Sequence, residues 1–167
     1  AGNNTGWLHR FFRFSGDRRQ LAPTSGSMGY GLPAAIGAAL ACPGRQVITI
    51  VGDGDLQMTS QELATLAQHN LAVVVIVVNN AMFGTIRMHQ EMHYPGRTSN
   101  TDLRNPDFCA LAGAHGLASA RVTQTDEFAP ALRQALAATG STLIELVTDA
   151  EAISHTATLS DLGARSR

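Results

Sequence analysis

Residues 47–55 read VITIVGDGD, and residues 72–80 read AVVVIVVNN. Each stretch is a short β-branched run that stops at polar residues. The second run holds seven consecutive apolar residues, of which five are valine. Apolar runs of this length are typical of parallel strands that are buried on both faces of a sheet. We therefore predict two buried strands, at Val47–Val51 and Ala72–Val78, at the centre of the fold.

Helices are predicted between and after these strands, from their own start and stop signals. Thr59 and Glu62 fit a capping box that opens a helix to about His69. Asn105 and Pro106 fit an N-cap followed by proline at the first helical position. The remaining predictions are a helix from Met82 that ends before Pro95, an end to the Asn105 helix at Gly116, a strand at 118–122, a helix from Thr125 to Gly140, a strand at Leu143–Val147 and a polar, weakly structured segment from Asp149.

The alternation of strands and helices predicts βαβ units and a parallel sheet. The expected fold class is therefore α/β, a doubly wound parallel sheet with helices on both faces. Met28–Ala41 is a further predicted helix, apolar on nearly every side, and such helices are normally buried all round. We expect another domain or subunit to cover it. The expected division is a binding domain at residues 1–150 and a C-terminal tail at residues 151–167.

The composition excludes several classes of protein. The chain has 167 residues, 44% of them hydrophobic and 15% charged, with a net charge of -1. That balance gives no basic surface for nucleic acid, and the longest apolar stretch, residues 28–43, is too short for a membrane span of about 20 residues. Two cysteines and no signal peptide argue against secretion and predict a cytoplasmic location. A first residue other than Met indicates a processed chain or a fragment.

Polar residues follow both central strands. Asp53 follows the first strand, and Asn80 follows the second, 27 residues later. Ligands of open α/β sheets bind beyond the carboxyl ends of the strands, so these side chains face one crevice if the strands are neighbours. A carboxylate and an amide oxygen suit Mg²⁺ or Ca²⁺, and Mg²⁺ completes its shell with phosphate and water. With Gly52 and Gly54 allowing close backbone approach, the sequence predicts a magnesium–diphosphate site.

These residues resemble the thiamine diphosphate motif, a Gly-Asp-Gly sequence followed by a strand that ends in Asn-Asn. Residues 26–35, GSMGYGLPAA, and residues 79–86, NNAMFGTI, are similar to the same family. The branch that the chain resembles is that of the acetolactate synthase-like enzymes. The resemblance covers nearly the whole chain, as the C-terminal diphosphate-binding domain of those enzymes. Their pyrimidine-binding and middle domains have no counterpart in the sequence.

The resemblance implies roles for the matching residues. Asp53 and Asn80 would bind Mg²⁺ through their side chains, and Met82 would bind it through its backbone carbonyl. Met28 would lie under the bent cofactor, and the Gly26 carbonyl would accept a hydrogen bond from the cofactor's 4′-amino group. The full set of implied cofactor contacts is Asn3, Asn4, Gly26, Ser27, Met28, Gly52, Asp53, Gly54, Asp55, Asn80, Met82, Phe83 and Gly84.

Two residues depart from the family's pattern. Asp55 stands where many relatives have serine or alanine, so we expect its carboxylate to point away from the diphosphate and its backbone to make any contact. His89 stands where synthases that discriminate between 2-keto acids have tryptophan, and it does not supply the same apolar wall. Thr85, Ile86 and His89 share one helical face and are the predicted substrate contacts.

The resemblance implies half of the active site of an enzyme that decarboxylates or ligates 2-keto acids. The activating glutamate of the family belongs to the pyrimidine-binding domain, in the same or a partner chain, and nothing in this sequence matches it. We therefore expect no catalytic residue in this chain, no activity alone, and assembly into a homodimer or tetramer. The use of FAD is left open.

Three alternatives are kept beside this interpretation. One is a separate small subunit of a two-chain 2-keto acid decarboxylase. Another is a non-catalytic binding or assembly domain, and the third is a nucleotide-binding dehydrogenase domain, against which Gln57 stands in the place of the last glycine of Gly-x-Gly-x-x-Gly. A zinc-protease motif is excluded at His89–His93, because no acid directly follows the first histidine.

Overall fold

The computed structural model describes residues 2–165. The strands in that range are β1 (Val47–Gly52), β2 (Val73–Asn79), β3 (Ala118–Val122) and β4 (Thr142–Val147). They form one parallel sheet in the order β1-β2-β4-β3. Val47 pairs with Val73 and Gly52 pairs with Val78. The residues that follow β1 and β2 therefore emerge side by side at the same edge of the sheet.

Helices connect the strands and cover the sheet. They are α1 (Asn4–Phe11), α2 (Gly31–Ala41), α3 (Asp53–Gln57), α4 (Leu63–Gln68), α5 (Gly84–His93), α6 (Phe108–Ala114), α7 (Thr125–Ala137) and α8 (Leu159–Arg165), with a 3₁₀ turn at Ser60–Glu62. Over residues 2–165, none of these helices has the length and apolar character needed to cross a membrane.

The sheet has a hydrophobic core on each face. Side chains alternate between the faces along a strand. Val73, Val75 and Val77 of β2 pack with buried residues of α2, α4 and α6. Val74 and Ile76 point the other way and pack with residues of α7. The predicted α/β fold, a doubly wound parallel sheet with helices on both faces, is confirmed.

Helix α2 is shorter than predicted and only partly covered. It begins at Gly31 rather than at Met28. A Cβ at Gly31 would collide with Cγ1 of Val51, so glycine lets the start of α2 approach β1 closely. On the opposite side of the helix Leu40 is 52% exposed. The residues of α2 that are buried are Leu32, Ala35 and Ile36.

Two predicted helix caps are wrong in detail. The Thr59 side chain makes no capping bond, and Glu62 accepts a hydrogen bond from the Thr65 hydroxyl instead of reaching back. A 3₁₀ turn therefore precedes α4. The N-cap of α6 is Asp107, whose carboxylate accepts a hydrogen bond from the Ala110 N–H at 3.0 Å. Asn105 does not cap this helix, because its amide contacts side chains at the edge of the sheet.

Helix α7 begins at Thr125, as predicted, and its start carries a capping box that was not predicted. Gln124 is the N-cap, and Glu127 at the third helical position accepts hydrogen bonds from the backbone N–H groups of Thr123 and Gln124. These hydrogen bonds hold the pKa of the Glu127 carboxyl below its ordinary value. The helix ends at Ala137, before the predicted stop at Gly140.

The segment after β4 is more ordered than its polar composition predicted. Ile153 is 1% exposed and Leu159 is 5% exposed, and both are buried together with Met82. Met88 and Leu162 pack against this small cluster, which joins α8 to α5. The two buried residues of this segment are widely spaced, and such spacing gives no periodic signal in the sequence.

Candidate functional site

A cavity of about 410 Å³ lies at the carboxyl ends of β1 and β2. Residues that follow these strands form part of its wall, and residues of α1 form another part. Ala152 and Ile153, from near the other end of the chain, complete the lining. This is the edge at which ligands of open α/β sheets bind.

Most of the predicted site residues meet in this cavity. Gly26, Ser27 and His89 are not among the residues that line it. Gly26 and Ser27 are exposed in the loop before Met28, and the His89 ring stacks on His93 with 5.9 Å between the ring centres. The predicted residues that do line the cavity are Asn3, Asn4, Met28, Gly52, Asp53, Gly54, Asp55, Asn80, Met82, Phe83, Gly84, Thr85 and Ile86.

Asp53 is a buried carboxylate held by several donors. It is the first residue of α3 and is 3% exposed. Its Oδ1 accepts a hydrogen bond from the Gly54 N–H at 2.9 Å, and its Oδ2 accepts one from Asn105 Nδ2 at 2.7 Å. Burial raises the pKa of the Asp53 carboxyl above the ordinary value, and these hydrogen bonds oppose the rise. The Gly54 N–H, at the start of α3, thus already has the Asp53 carboxylate as its acceptor.

The turn after β2 presents Asn80 to the same cavity. Ala81 has a φ of 55°, in the left-handed region that residues other than glycine seldom adopt. The N–H of Ala81 donates to Asn79 Oδ1 at 3.1 Å, and the N–H of Met82 donates to Asn80 Oδ1 at 3.3 Å. The Ala81 carbonyl accepts from the Leu103 N–H at 2.8 Å. Local side-chain bonds and one distant bond therefore hold this strained turn in place.

Asp55 lines the cavity and is bonded to the loop before α2. It is 4% exposed, and its Oδ1 accepts a hydrogen bond from the Gly29 N–H. Gly29 has a φ of 79°, and Met28 beside it lines the cavity. The carboxylate thereby ties α3 to the loop that carries Met28.

The start of α1 supplies further polar groups. The Thr85 hydroxyl donates to Asn3 Oδ1 at 2.8 Å, which joins α1 to α5. Asn4 also lines the cavity, and its Nδ2 is buried without a hydrogen-bond partner among the described residues. A buried donor without a hydrogen bond costs about 1–3 kcal/mol, and a hydrogen bond from Asn4 Nδ2 to a ligand oxygen would remove that cost.

A polar network behind Asp53 was missed by the sequence analysis. Asn79 Nδ2 donates to Glu145 Oε1 at 2.7 Å, and Arg121 Nε donates to Glu145 Oε2 at 2.7 Å. Asp107, Cys109 and Glu145 lie close enough to suit a metal ion, but the Arg121 guanidinium bonds both carboxylates and already supplies the positive charge. Glu145 sits inside an apolar strand pattern, and only the pairing of β4 with β2 and β3 shows its partners.

Apolar lining residues were also missed. Trp7 and Ile153 line the cavity from opposite ends of the chain, and the Trp7 ring meets the His155 ring edge-on, with 6.4 Å between centres. Nothing local in either segment indicates this contact, because it depends on how the two ends of the chain come together.

Residues 1–146 match the family model described as "Thiamine pyrophosphate enzyme, C-terminal TPP binding domain". The chain belongs to this family. It is a thiamine pyrophosphate-binding domain of the acetolactate synthase-like kind, as the named relatives show.

Two curated relatives and one solved structure illustrate the likeness. The chain is 38% identical to a probable acetolactate synthase large subunit of Methanocaldococcus jannaschii, over 92% of this chain and 26% of that protein. It is 39% identical to an acetolactate synthase large subunit of Corynebacterium glutamicum, over 81% of this chain and 22% of that protein. The thiamine diphosphate-dependent 4-hydroxybenzoylformate decarboxylase of Rhodococcus jostii RHA1 superposes with a TM-score of 0.72 and 40% identity, covering 76% of this chain and 24% of the enzyme. The chain spans about a quarter of the length of these proteins.

Proposed function

We propose that this domain binds thiamine diphosphate together with Mg²⁺ and forms one half of the active site of an enzyme that decarboxylates or ligates 2-keto acids. The observation that carries the proposal is the meeting of Asp53 and Asn80 in the wall of one cavity. A carboxylate and an amide oxygen are ligands that Mg²⁺ accepts, with diphosphate oxygens completing the shell.

The other groups of the cavity fit the cofactor. Asn4 Nδ2, which has no hydrogen-bond partner within residues 2–165, offers a donor to an anionic oxygen. Asp55, the second carboxylate of the lining, is turned toward Gly29 and accepts its N–H. Met28 and Phe83 add an apolar surface against which organic rings can pack. A hydrogen-bond donor, two proposed metal ligands and an apolar surface thus line one cavity.

Each residue has a separate task in the proposed site. Asp53 and Asn80 hold the metal through their side chains, and Met82 holds it through its backbone carbonyl. When bound, thiamine diphosphate supplies the electron sink for breaking a carbon–carbon bond of the substrate. Thr85 and Ile86, which line the cavity on α5, contact the 2-keto acid.

The second half of the site comes from a pyrimidine-binding domain of the same or a partner chain. Among the described residues that line the cavity, the carboxylates are Asp53 and Asp55. One is assigned to the metal and the other bonds the Gly29 loop, so neither is placed to activate the cofactor. We therefore propose that the activating glutamate is supplied from outside residues 1–167, in an assembly of two or four copies.

The direct test is thermal unfolding with thiamine diphosphate, in Mg²⁺ and again in a chelator. A ligand at about 100 times its dissociation constant adds roughly 2.7 kcal/mol to the free energy of unfolding. For a chain of this size we expect Tm to rise by about 5–10 °C in Mg²⁺ and by much less in chelator. The Asp53→Asn variant, which keeps the shape and removes the charge, is expected to lose the shift.

The matched control is Asp17→Asn, because the Asp17 side chain is 89% exposed and lies outside the cavity lining. This control should keep the full magnesium-dependent shift. The same titration is repeated on a chimera in which this chain replaces the matching segment of the Corynebacterium glutamicum relative. The absence of any magnesium-dependent shift in both proteins would contradict the proposal.

A further inference from the structure

The Asn105 side chain lies between the residues that follow β1 and those that follow β2. Its Nδ2 donates to Asp53 Oδ2 at 2.7 Å and to Asn79 Oδ1 at 2.8 Å. Its Oδ1 accepts a hydrogen bond from Gln57 Nε2 at 2.7 Å. An amide nitrogen carries two N–H groups, and both are used here.

Hydrogen bonds that pass through Asn79 fix the orientation of the Asn105 amide. Asn79 Nδ2 donates to Glu145 Oε1, so Asn79 Oδ1 is left to face Asn105. Glu145 is 3% exposed, and Arg121, which donates to its other oxygen at 2.7 Å, balances its charge. The Glu145–Arg121 ion pair, in which the carboxylate is buried and the Arg121 side chain is 43% exposed, therefore orients Asn79. Asn79 together with Gln57 determines which end of the Asn105 amide faces Asp53.

The same amide reaches both segments that carry the proposed metal ligands. Asp53 is bonded directly. The turn that carries Asn80 is bonded through Asn79, whose Oδ1 also accepts the Ala81 N–H at 3.1 Å. One side chain thereby fixes the position of two ligands that come from different strands.

We propose that Asn105 is a positioning residue that orients Asp53 and the Asn79–Met82 turn for metal binding. The inference rests on the proposed function of the site. A carboxylate ligand that accepts a hydrogen bond from a neighbour keeps a single orientation, and loss of such an outer partner costs about 10–100-fold in metal affinity.

The test measures Mn²⁺ binding, by electron paramagnetic resonance, to the 167-residue chain with thiamine diphosphate present. The Asn105→Leu variant keeps the side-chain size and removes the donor, and we expect its Mn²⁺ affinity to fall by about tenfold or more. The matched control is Gln90→Leu. Gln90 also exchanges two hydrogen bonds with a loop residue, Ser99, but it touches neither Asp53 nor Asn79. The Mn²⁺ affinity of Gln90→Leu should stay at the parent value.

Thermal unfolding without metal or cofactor separates a structural role from a positioning role. A merely structural Asn105 would lower Tm in Asn105→Leu and leave the Mn²⁺ affinity of the folded fraction unchanged, and that result would overturn the inference. Gln57→Met is a milder second variant, since Gln57 is exposed and its loss frees only the orientation of the Asn105 amide. The Mn²⁺ affinity of Gln57→Met should also fall, by a smaller factor than that of Asn105→Leu. The inference therefore stays testable if Asn105→Leu does not fold. Absence of Mn²⁺ binding in both the parent chain and the chimera would overturn the proposed function and this inference together, and if only the chimera binds Mn²⁺ the variants are compared in the chimera. Equal binding by parent and variants would overturn this inference alone.

Discussion

Asp55 links two parts of the cavity wall that are far apart in the sequence. Its carboxylate is buried on α3, two residues after Asp53, and accepts the N–H of Gly29. The loop that contains Gly29 presents Met28 to the cavity. A change at this one residue should therefore affect both the Asp53 side of the cavity and the side formed by Met28.

We predict that Asp55→Ala lowers the free energy of unfolding by about 2 kcal/mol, since hydrogen bonds to charged groups contribute about 1.5–3 kcal/mol. Asp55→Asn keeps an acceptor oxygen and should cost less. Urea unfolding measures both values, and Asp17→Ala on the exposed surface is the control. Equal stability of Asp55→Ala and the parent would show that the Gly29 contact contributes nothing.

Local motifs predicted the cavity residues that directly follow strands. The other residues of the site were missed, because their partners are distant in the sequence. Asp53 and Asn80 could be placed because parallel strands end at one edge of a sheet. Asn105 and Glu145 could not, since one resembled a helix cap and the other interrupts an apolar strand. His89 shows the opposite limit, because helical periodicity grouped it with Thr85 and Ile86, yet it lies outside the cavity lining.

Helix α7 illustrates how an element is stabilised by its first turn. Glu127 accepts the backbone N–H groups of Thr123 and Gln124 at 2.7 Å and 3.0 Å, which satisfies two donors ahead of the helix. Those hydrogen bonds favour the carboxylate form, and the pKa of Glu127 is accordingly lowered. Protonation must therefore weaken the start of the helix.

We predict a pH dependence of stability that belongs to this cap. Because the folded pKa of Glu127 lies below the ordinary value of 4.5, its contribution is fully present above pH 4.5 and is lost as the pH falls through the folded pKa. Glu127→Gln should lower Tm at pH 6 and lose less of its Tm between pH 5 and pH 3 than the parent does. Thermal unfolding across that range measures both effects.

The control is Asp126→Asn, which removes a charge from the same first turn but leaves the hydrogen bonds of Glu127 intact. Between pH 5 and pH 3, the loss of Tm in Asp126→Asn should be closer to that of the parent than the loss of Tm in Glu127→Gln is. If Glu127→Gln and the parent lose the same Tm between pH 5 and pH 3, the cap makes no contribution to the acid sensitivity of the protein.

The elements themselves could be predicted better than their ends. The β-branched runs identified β1 and β2 because buried parallel strands have a composition of their own. The starts of α4 and α6 were wrong, because the Thr59 hydroxyl makes no hydrogen bond among the described residues and the Asn105 amide bonds side chains at the edge of the sheet. The segment that ends in α8 was missed because Ile153 and Leu159 are isolated apolar residues whose burial depends on Met82.

On the scale of the whole molecule, large apolar side chains remain on the surface. Phe11 is 65% exposed and Leu21 is 60% exposed. Both lie in residues 10–21, a segment before Met28 that is rich in arginine. Leu40 on α2 and Ile48 on β1 are 52% and 45% exposed. Such surfaces are consistent with the proposal that a further domain packs here, and the chain spans about a quarter of the length of its relatives.

We predict that the purified chain releases no CO₂ from pyruvate in the presence of thiamine diphosphate and Mg²⁺, because it holds only half of the proposed site. The chimera with the Corynebacterium glutamicum relative should release CO₂, and Asp53→Asn within the chimera should abolish that release. Coupled CO₂ detection measures all three proteins. Release by the isolated chain would contradict the half-site proposal.

The cavity draws its walls from both ends of the chain, and this has a consequence for synthesis. Asn3 bonds Thr85, Trp7 meets His155, and Ile153 packs on Met82. Such contacts close late in folding, because the entropy of the intervening loops must be lost first. On the ribosome, therefore, we expect the β1–β2 pair to form while the nascent chain is still growing, and a pocket able to bind ligand only after His155 has emerged from the exit tunnel.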